Sequence, residues 1–329
     1  MNAILEKIGK IGIVPVIKID DVEKAVPLAK ALAAGGIPCA EITFRTAQGE
    51  EAIRRIAAEA PETLLGAGTV LTTDQVDRAI NAGAQFIVSP GFNPKVVAYC
   101  QQKEIPVTPG CANPSDIEQA LEFGLEVVKF FPAEQAGGLE YIKAVSAPYP
   151  GLKFIPTGGI NAGNIARYIA FDKVLACGTS WMVGADLISA GEFEKITTLS
   201  REAVQAMLGF SVAHIGINAG KDEAAAQAAA LFHSLFGFAP KEGNSSTFAG
   251  DTLELVKTAA KGAAMGAAPG THGHIAIATN SVARAVAYLE RGGITLDHAG
   301  AQKDAQGKVS AVYLKEEILG FAIHLVQKK

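Results

Sequence analysis

Cys39-Ala40-Glu41-Ile42-Thr43-Phe44-Arg45-Thr46 opens a stretch that runs through a helix-like segment, Gly49–Ala60. It closes with Leu64-Leu65-Gly66-Ala67-Gly68-Thr69-Val70. Two apolar runs of strand length flank a charged, amphipathic segment. A crossover of that length joins parallel strands rather than a hairpin. Along the first strand Ala40, Ile42 and Phe44 fall on one face and suit packing against helices. Glu41, Thr43 and Arg45 fall on the other.

Outward from this unit the pattern recurs. Further strand candidates are Gly12–Ile19, Phe86–Ser89, Val107–Gly110, Val127–Pro132, Phe154–Gly158 and Val174–Gly178. Helix-like segments such as Val22–Ala34 separate them. Asp20 or Asp21, Thr72 or Thr73, Asn113 and Asn161 stand where N-caps belong. Pro94 and Pro114 follow at the first helical position, and Gly35, Gly83 and Gly124 end helices. Eight strand–helix units in about 200 residues predict an α/β fold, a compact (β/α)₈ TIM barrel. The alternative, a doubly wound open sheet, favours a G-x-G-x-x-G turn after its first strand. The sequence there is Lys18-Ile19-Asp20-Asp21, without that turn.

Three features of this part carry chemistry. Glu41, Thr43 and Arg45 point into the barrel, where an acid and a base are costly unless used or paired. A structural Glu41–Arg45 pair is the plain alternative. In Val127-Val128-Lys129-Phe130-Phe131 a lysine sits among apolar side chains. Either it snorkels to a strand end, or it is desolvated. Desolvation disfavours the ammonium form of a lysine, and a neutral amine attacks carbonyls to form an imine. Pro156-Thr157-Gly158-Gly159-Ile160 and Cys177-Gly178-Thr179-Ser180 lead into helices after strands seven and eight. Glycine turns there suit an anion, commonly a phosphate in this fold. Ordinary tight turns are the other reading.

Glu41–Thr46, Gly66-Ala67-Gly68-Thr69-Val70, Ser89-Pro90-Gly91, Lys129-Phe130-Phe131-Pro132-Ala133-Glu134 and Pro156–Ile160 together resemble the signatures of the 2-keto-3-deoxy-6-phosphogluconate (KDPG) / 4-hydroxy-2-oxoglutarate (KHG) aldolase family. The resemblance covers residues 5–208. It implies a class I aldolase on a (β/α)₈ barrel, usually a homotrimer, that needs no cofactor. Residue by residue it makes Lys129 the Schiff-base lysine and Glu41 the general acid/base. It gives Arg45 and Thr69 the pyruvate carboxylate, and Gly158, Gly159 and Ser180 the phosphate end. Thr157 and Pro90 line the pocket. Thr179 departs from members with glycine there, which puts substrate preference in doubt. A metal-dependent aldolase would typically need barrel histidines. A non-catalytic sugar-phosphate binding barrel explains the glycine turns but not the buried lysine.

The six histidines all lie beyond residue 213, which also marks a boundary. The expected domains are therefore residues 1–209 and 210–329. A net charge of −4 gives no basic footprint for nucleic acid. No apolar run is long enough to span a bilayer, and Met1–Lys10 lacks the order of a signal peptide. Cys39, Cys100, Cys111 and Cys177 form no C-x-x-C pair. A reduced, cytoplasmic protein that acts on a small molecule, with no nucleic-acid or membrane partner, is the expectation.

The second part has a different rhythm. Strand Ala213–Asn218, helix Glu223–Phe236 and the segment Ser246–Lys257 form one half. A Gly/Ala/Pro-rich connection, Gly262–Gly270, follows. Strand His274–Thr279, helix Val282–Arg291 and strands near Val309–Leu314 and Phe321–Gln327 form the other. This predicts a smaller α+β domain of paired βαβββ modules. Ala213-His214-Ile215-Gly216-Ile217, Leu253-Glu254-Leu255-Val256, Gly273-His274-Ile275-Ala276-Ile277 and Ile323-His324-Leu325-Val326 resemble the vicinal-oxygen-chelate, or glyoxalase-like, superfamily. In metal-binding members one residue from each of these strands holds a divalent ion. Here those positions are His214, Glu254, His274 and His324, the last where glutamate is commoner. Such a donor set suits Zn, Ni, Co, Mn or Fe(II). A structural or oligomerisation module is the other reading. His233, His272 and His298 have no matching role.

Overall fold

The computed structural model describes residues 1–219, 222–243, 245–257 and 270–328. The chain divides into two compact units, Met1–Met207 and Leu208–Lys329. In the first, short apolar segments form parallel strands β1 (Ile13–Ile17), β2 (Cys39–Thr43), β3 (Leu64–Gly68), β4 (Phe86–Val88), β5 (Val107–Thr108), β6 (Val127–Phe130), β7 (Lys153–Pro156) and β8 (Cys177–Thr179). Six of them pair in the order β5-β4-β3-β2-β1-β8, and β6 pairs with β7. Parallel bridges Gly110–Lys129 and Thr157–Gly178 join the two sets into a ring. This is the barrel expected from eight strand–helix repeats.

The helices around it follow from amphipathic spacing and caps. In the helix Gly49–Glu59 Ala52, Ile53 and Ile56 are buried. Each buried isoleucine contributes about 1.5–3 kcal/mol. The outward Arg54 and Arg55 pair with Glu50, Glu51 and Glu23. In the helix Thr73–Ala82 the Thr72 side chain accepts from the Gln75 N–H, and Gly83 ends the helix at φ 105°. Asn93 and Asn113 cap the helices opened by Pro94 and Pro114.

Three sequence expectations shift. Strand β2 ends at Thr43, so Arg45 lies in an exposed turn rather than inside the barrel. Its guanidinium gains hydration there that a barrel interior denies. Asn161 is not the cap of the helix after β7. That helix starts at Ile165, and Asn161 Oδ1 instead accepts from the Gly163 N–H at 2.9 Å. Strand β8 starts at Cys177, with Val174 joined to Phe154 by a single bridge.

The second unit is one eight-stranded sheet built from two βαβββ modules. The first comprises β9 (Ser211–Asn218), helix Asp222–Phe236, β10 (Pro240–Glu242), β11 (Ser246–Ala249) and β12 (Leu253–Val256). The second comprises β13 (Gly273–Thr279), helix Val282–Arg291, β14 (Gln302–Lys303), β15 (Val309–Tyr313) and β16 (Phe321–Gln327). Their order is β10-β11-β12-β9-β13-β16-β15-β14. Within each module the first and last strands pair parallel, and β9 meets β13 antiparallel at the centre. At that seam His274 stands opposite Gly216, and His214 opposite Ala276. The connection read at Gly262–Gly270 lies outside the described residues except for Gly270.

Candidate active site and a second polar cluster

Backbone bonds fix Lys129. Its N–H donates to Pro109 O at 2.9 Å, and its carbonyl accepts from Cys111 N–H at 2.8 Å. Strand alternation then sends its side chain inward. Nζ lies 3.4 Å from Glu41 Oε1, and the two side chains are only 8% and 4% exposed. Lysine 129 therefore does not snorkel, and the ion pair of Glu41 is with it, not with Arg45. Glu41 packs on bare backbone: a Cβ at Gly68 would lie 2.2 Å from Oε1. Nζ also stands 5.5 Å from the Phe131 ring centroid. Val14, Phe86, Val88 and Ile155 wall the small cavity around the pair, and Thr108 and Thr157 bring hydroxyls to it. An amine and a carboxylate in contact, with little water to compete, can share proton transfers at a carbonyl carbon.

The other expected residues sit at or near the C-terminal ends of strands, the usual place for sites in this fold. Exposed Arg45 donates from Nε to Thr43 Oγ1 at 3.2 Å. The Thr43 hydroxyl in turn donates to Ile17 O at 2.8 Å. Thr69 is half-buried with φ 57°. A β-branched residue rarely adopts that conformation, which costs about 1–3 kcal/mol. Pro90 is exposed beside Ser89, whose hydroxyl donates to Gly91 O at 2.8 Å. Thr157 is buried, and a Cβ at Gly178 would lie 2.2 Å from its Oγ1. Gly158 and Gly159 take φ of 101° and 79°. The loop after β6 is stitched to that turn: Ala133 N–H donates to Thr157 O at 2.8 Å and Glu134 N–H to Gly158 O at 3.1 Å. Ser180 is exposed just after β8.

Sequence reasoning passed over two features. Thr108 faces the cavity from a two-residue strand, too short for any period to show. Glu134 is held by Arg167 and Tyr168, partners more than thirty residues away with no motif to announce them.

In the second unit the four expected residues come together. His214 Nε2 lies 3.0 Å from His274 Nε2, and Glu254 Oε2 lies 3.1 Å from each. His324 completes a trio of histidines with ligand atoms within 4.8 Å of one another. Its ring stacks on Tyr313 at 4.6 Å. Among the described residues neither His324 ring nitrogen has a hydrogen-bond partner, although both are buried. Burial, and then the neighbouring His274 and His214, push the His324 pKa down to about 3, so its ring is neutral. Burial works against the Glu254 carboxylate, but bonds from His214, His274 and Ser246 outweigh it and hold its pKa well below the usual range. A neutral imidazole with one free nitrogen lone pair beside an ionised carboxylate is the protonation state that metal ligands require. His298 pairs with Glu290 at the surface, and His272 packs on Phe321.

A family model described as KDPG and KHG aldolase matches residues 4–199. The chain is 52% identical over 205 residues to the 2-dehydro-3-deoxy-phosphogluconate aldolase of Treponema pallidum, covering 62% of this chain and 98% of that one. It is 48% identical over 201 residues to the enzyme of the same name from Haemophilus influenzae, covering 61% and 95%. Among solved structures it resembles KDPG aldolase from Legionella pneumophila, captured with pyruvate as a covalent carbinolamine intermediate. The TM-score is 0.59 and the identity 38%, covering 60% of this chain and 97% of that one.

Proposed function

The chain belongs to the KDPG and KHG aldolase family, and from that premise we propose that its barrel is a class I aldolase. It cleaves KDPG to pyruvate and glyceraldehyde 3-phosphate, and the shorter KHG to pyruvate and glyoxylate. The observation that carries this reading is the buried Lys129 amine facing Glu41 at 3.4 Å. A carbinolamine, as held by the Legionella relative, is what an amine makes on adding to a ketone. Lys129 Nζ adds to C2 of the substrate, and loss of water gives the protonated imine. The imine takes up the electron pair of the C3–C4 bond as that bond breaks. Glu41, directly or through a water, accepts the C4 hydroxyl proton as the aldehyde leaves. It then returns a proton to C3 of the enamine, and hydrolysis releases pyruvate. On this reading Arg45 and Thr69 hold the carboxylate, and Gly158, Gly159 and Ser180 take the phosphate. Thr157 and Pro90 line the pocket. The test is pyruvate release from KDPG and KHG by the full chain, followed through lactate dehydrogenase. Wild type is expected to release pyruvate and Lys129→Met to release none. Binding without cleavage by wild type would establish a sugar-phosphate binding barrel instead.

In the second unit, the same proposal assigns a divalent metal ion to His214, Glu254, His274 and His324, as in the vicinal-oxygen-chelate superfamily that these strands resemble. Support comes from the unpartnered, neutral His324 and the donor set itself. Such an ion supplies Lewis acidity to a bound oxygen. Calorimetric titration of the full chain with Zn(II) and Ni(II) is expected to give one site per chain, abolished in His274→Ala/His324→Ala. A chain with no site would leave this unit a packing module.

A further inference from the structure

We infer that Arg167, acting through Glu134, sets the preference of the barrel for a phosphorylated over an unphosphorylated substrate. The inference rests on the reading of the Gly158–Gly159 turn as the phosphate end of the site. Glu134 lies directly on that turn. Its N–H donates to Gly158 O, and a Cβ at Gly159 would lie 2.7 Å from both Glu134 Cβ and Cγ. A carboxylate is an unexpected group to place beside an anion site. Like charges at that range repel, and the repulsion falls directly on substrate affinity.

The surroundings neutralise it. Arg167 Nη2 lies 3.1 Å from both Glu134 oxygens, and the Tyr168 hydroxyl donates to Oε1. Tyr168 is fully buried, and the Arg167 guanidinium sits 5.6 Å from its ring centroid. The two partners differ in kind. Tyr168 is part of the core and holds the carboxylate in place. The Arg167 side chain is 57% exposed and supplies the countercharge with little packing. Removing Arg167 therefore leaves the turn braced by Glu134 and Tyr168 but restores a negative charge beside the phosphate. Arg167 is a positioning and charge-balancing residue, with no contact to reacting atoms in this mechanism.

The test compares steady-state kinetics on KDPG with those on 2-keto-3-deoxygluconate, which lacks only the phosphate. Wild type, Arg167→Ala and Arg167→Ala/Glu134→Gln are measured as full chains at low and high salt. Arg167→Ala is expected to raise KM for KDPG about 3- to 10-fold, as half-screened charges do. KM for the unphosphorylated substrate should move less than about 2-fold. The double variant removes the bare carboxylate and should bring KM for KDPG back towards wild type. High salt should shrink the Arg167→Ala effect. An equal loss on both substrates, or a double variant no better than the single, would overturn the inference and leave the trio as a brace. A wild type that does not prefer the phosphorylated substrate would remove the phosphate reading itself.

Discussion

Glu41→Gln keeps the shape of the side chain and removes its charge and its capacity to accept a proton. The structure sets the size of the effect. The Glu41 side chain is 4% exposed, so bulk water is a poor substitute base, and its only ion pair among the described residues is with Lys129. General acid–base catalysis contributes about 10²–10⁴-fold, roughly 2.7–5.4 kcal/mol of barrier. A site this closed belongs in the middle of that range or above, so kcat on KDPG should fall about 10³-fold. KM should change little, because the amide fills the same volume. Breaking a buried ion pair costs about 3–5 kcal/mol. The amide oxygen can still accept from Nζ, which favours the lower end. At about 2–4 °C per kcal/mol for a unit of this size, the barrel transition should drop by roughly 6–12 °C. Stopped-flow pyruvate release and scanning calorimetry read the two effects. A kcat within ten-fold of wild type, in a variant that still forms its imine, would refute the role given to Glu41.

Three further outcomes are expected, two from the geometry and one from the family. Gly68→Ala puts a Cβ within 2.2 Å of Glu41 Oε1, so the carboxylate must swing aside. The fold should lose about 1–3 kcal/mol by overpacking and kcat about 10²-fold, whereas unchanged kcat would mean that Glu41 needs no fixed position. All four cysteines are buried, and burial pushes the Cys100 and Cys111 thiols up to about 12. A raised thiol pKa leaves the protonated, unreactive form in place well above pH 8, so Ellman's reagent at pH 8 should label none before denaturant is added. Prompt labelling of a native thiol would contradict that burial. The homotrimer implied by the family should appear in light scattering as about three times the 34.1 kDa chain; a mass of one chain would show that it does not form.

Much of the barrel was legible because each strand is a short apolar run and each helix carries its own stop signals. Period-two alternation alone placed Glu41 inward, and apolar flanks singled out Lys129. That the two meet across the barrel is a long-range fact, 88 residues apart in sequence, which only the closed ring supplies. Alternation overruns at Arg45, because it registers no strand end: the strand stops at Thr43 and the turn begins at Phe44. Glu134 stands inside the Lys129–Glu134 motif without a role legible in the sequence, since its partners Arg167 and Tyr168 arrive from the short helix Ile165–Ile169. In the second unit the central strands carry the histidines and were readable. The edge strands Pro240–Glu242 and Gln302–Lys303 are exposed, polar and two or three residues long, so no hydrophobic period marks them.

The proposed chemistry passes through a covalent imine on Lys129. Borohydride reduction of the full chain in the presence of pyruvate, with and without a chelator, followed by peptide mass spectrometry, tests it directly. A reduced pyruvyl adduct on Lys129 is expected at equal yield in both conditions. No adduct on a folded protein, or an adduct on another lysine, would contradict it.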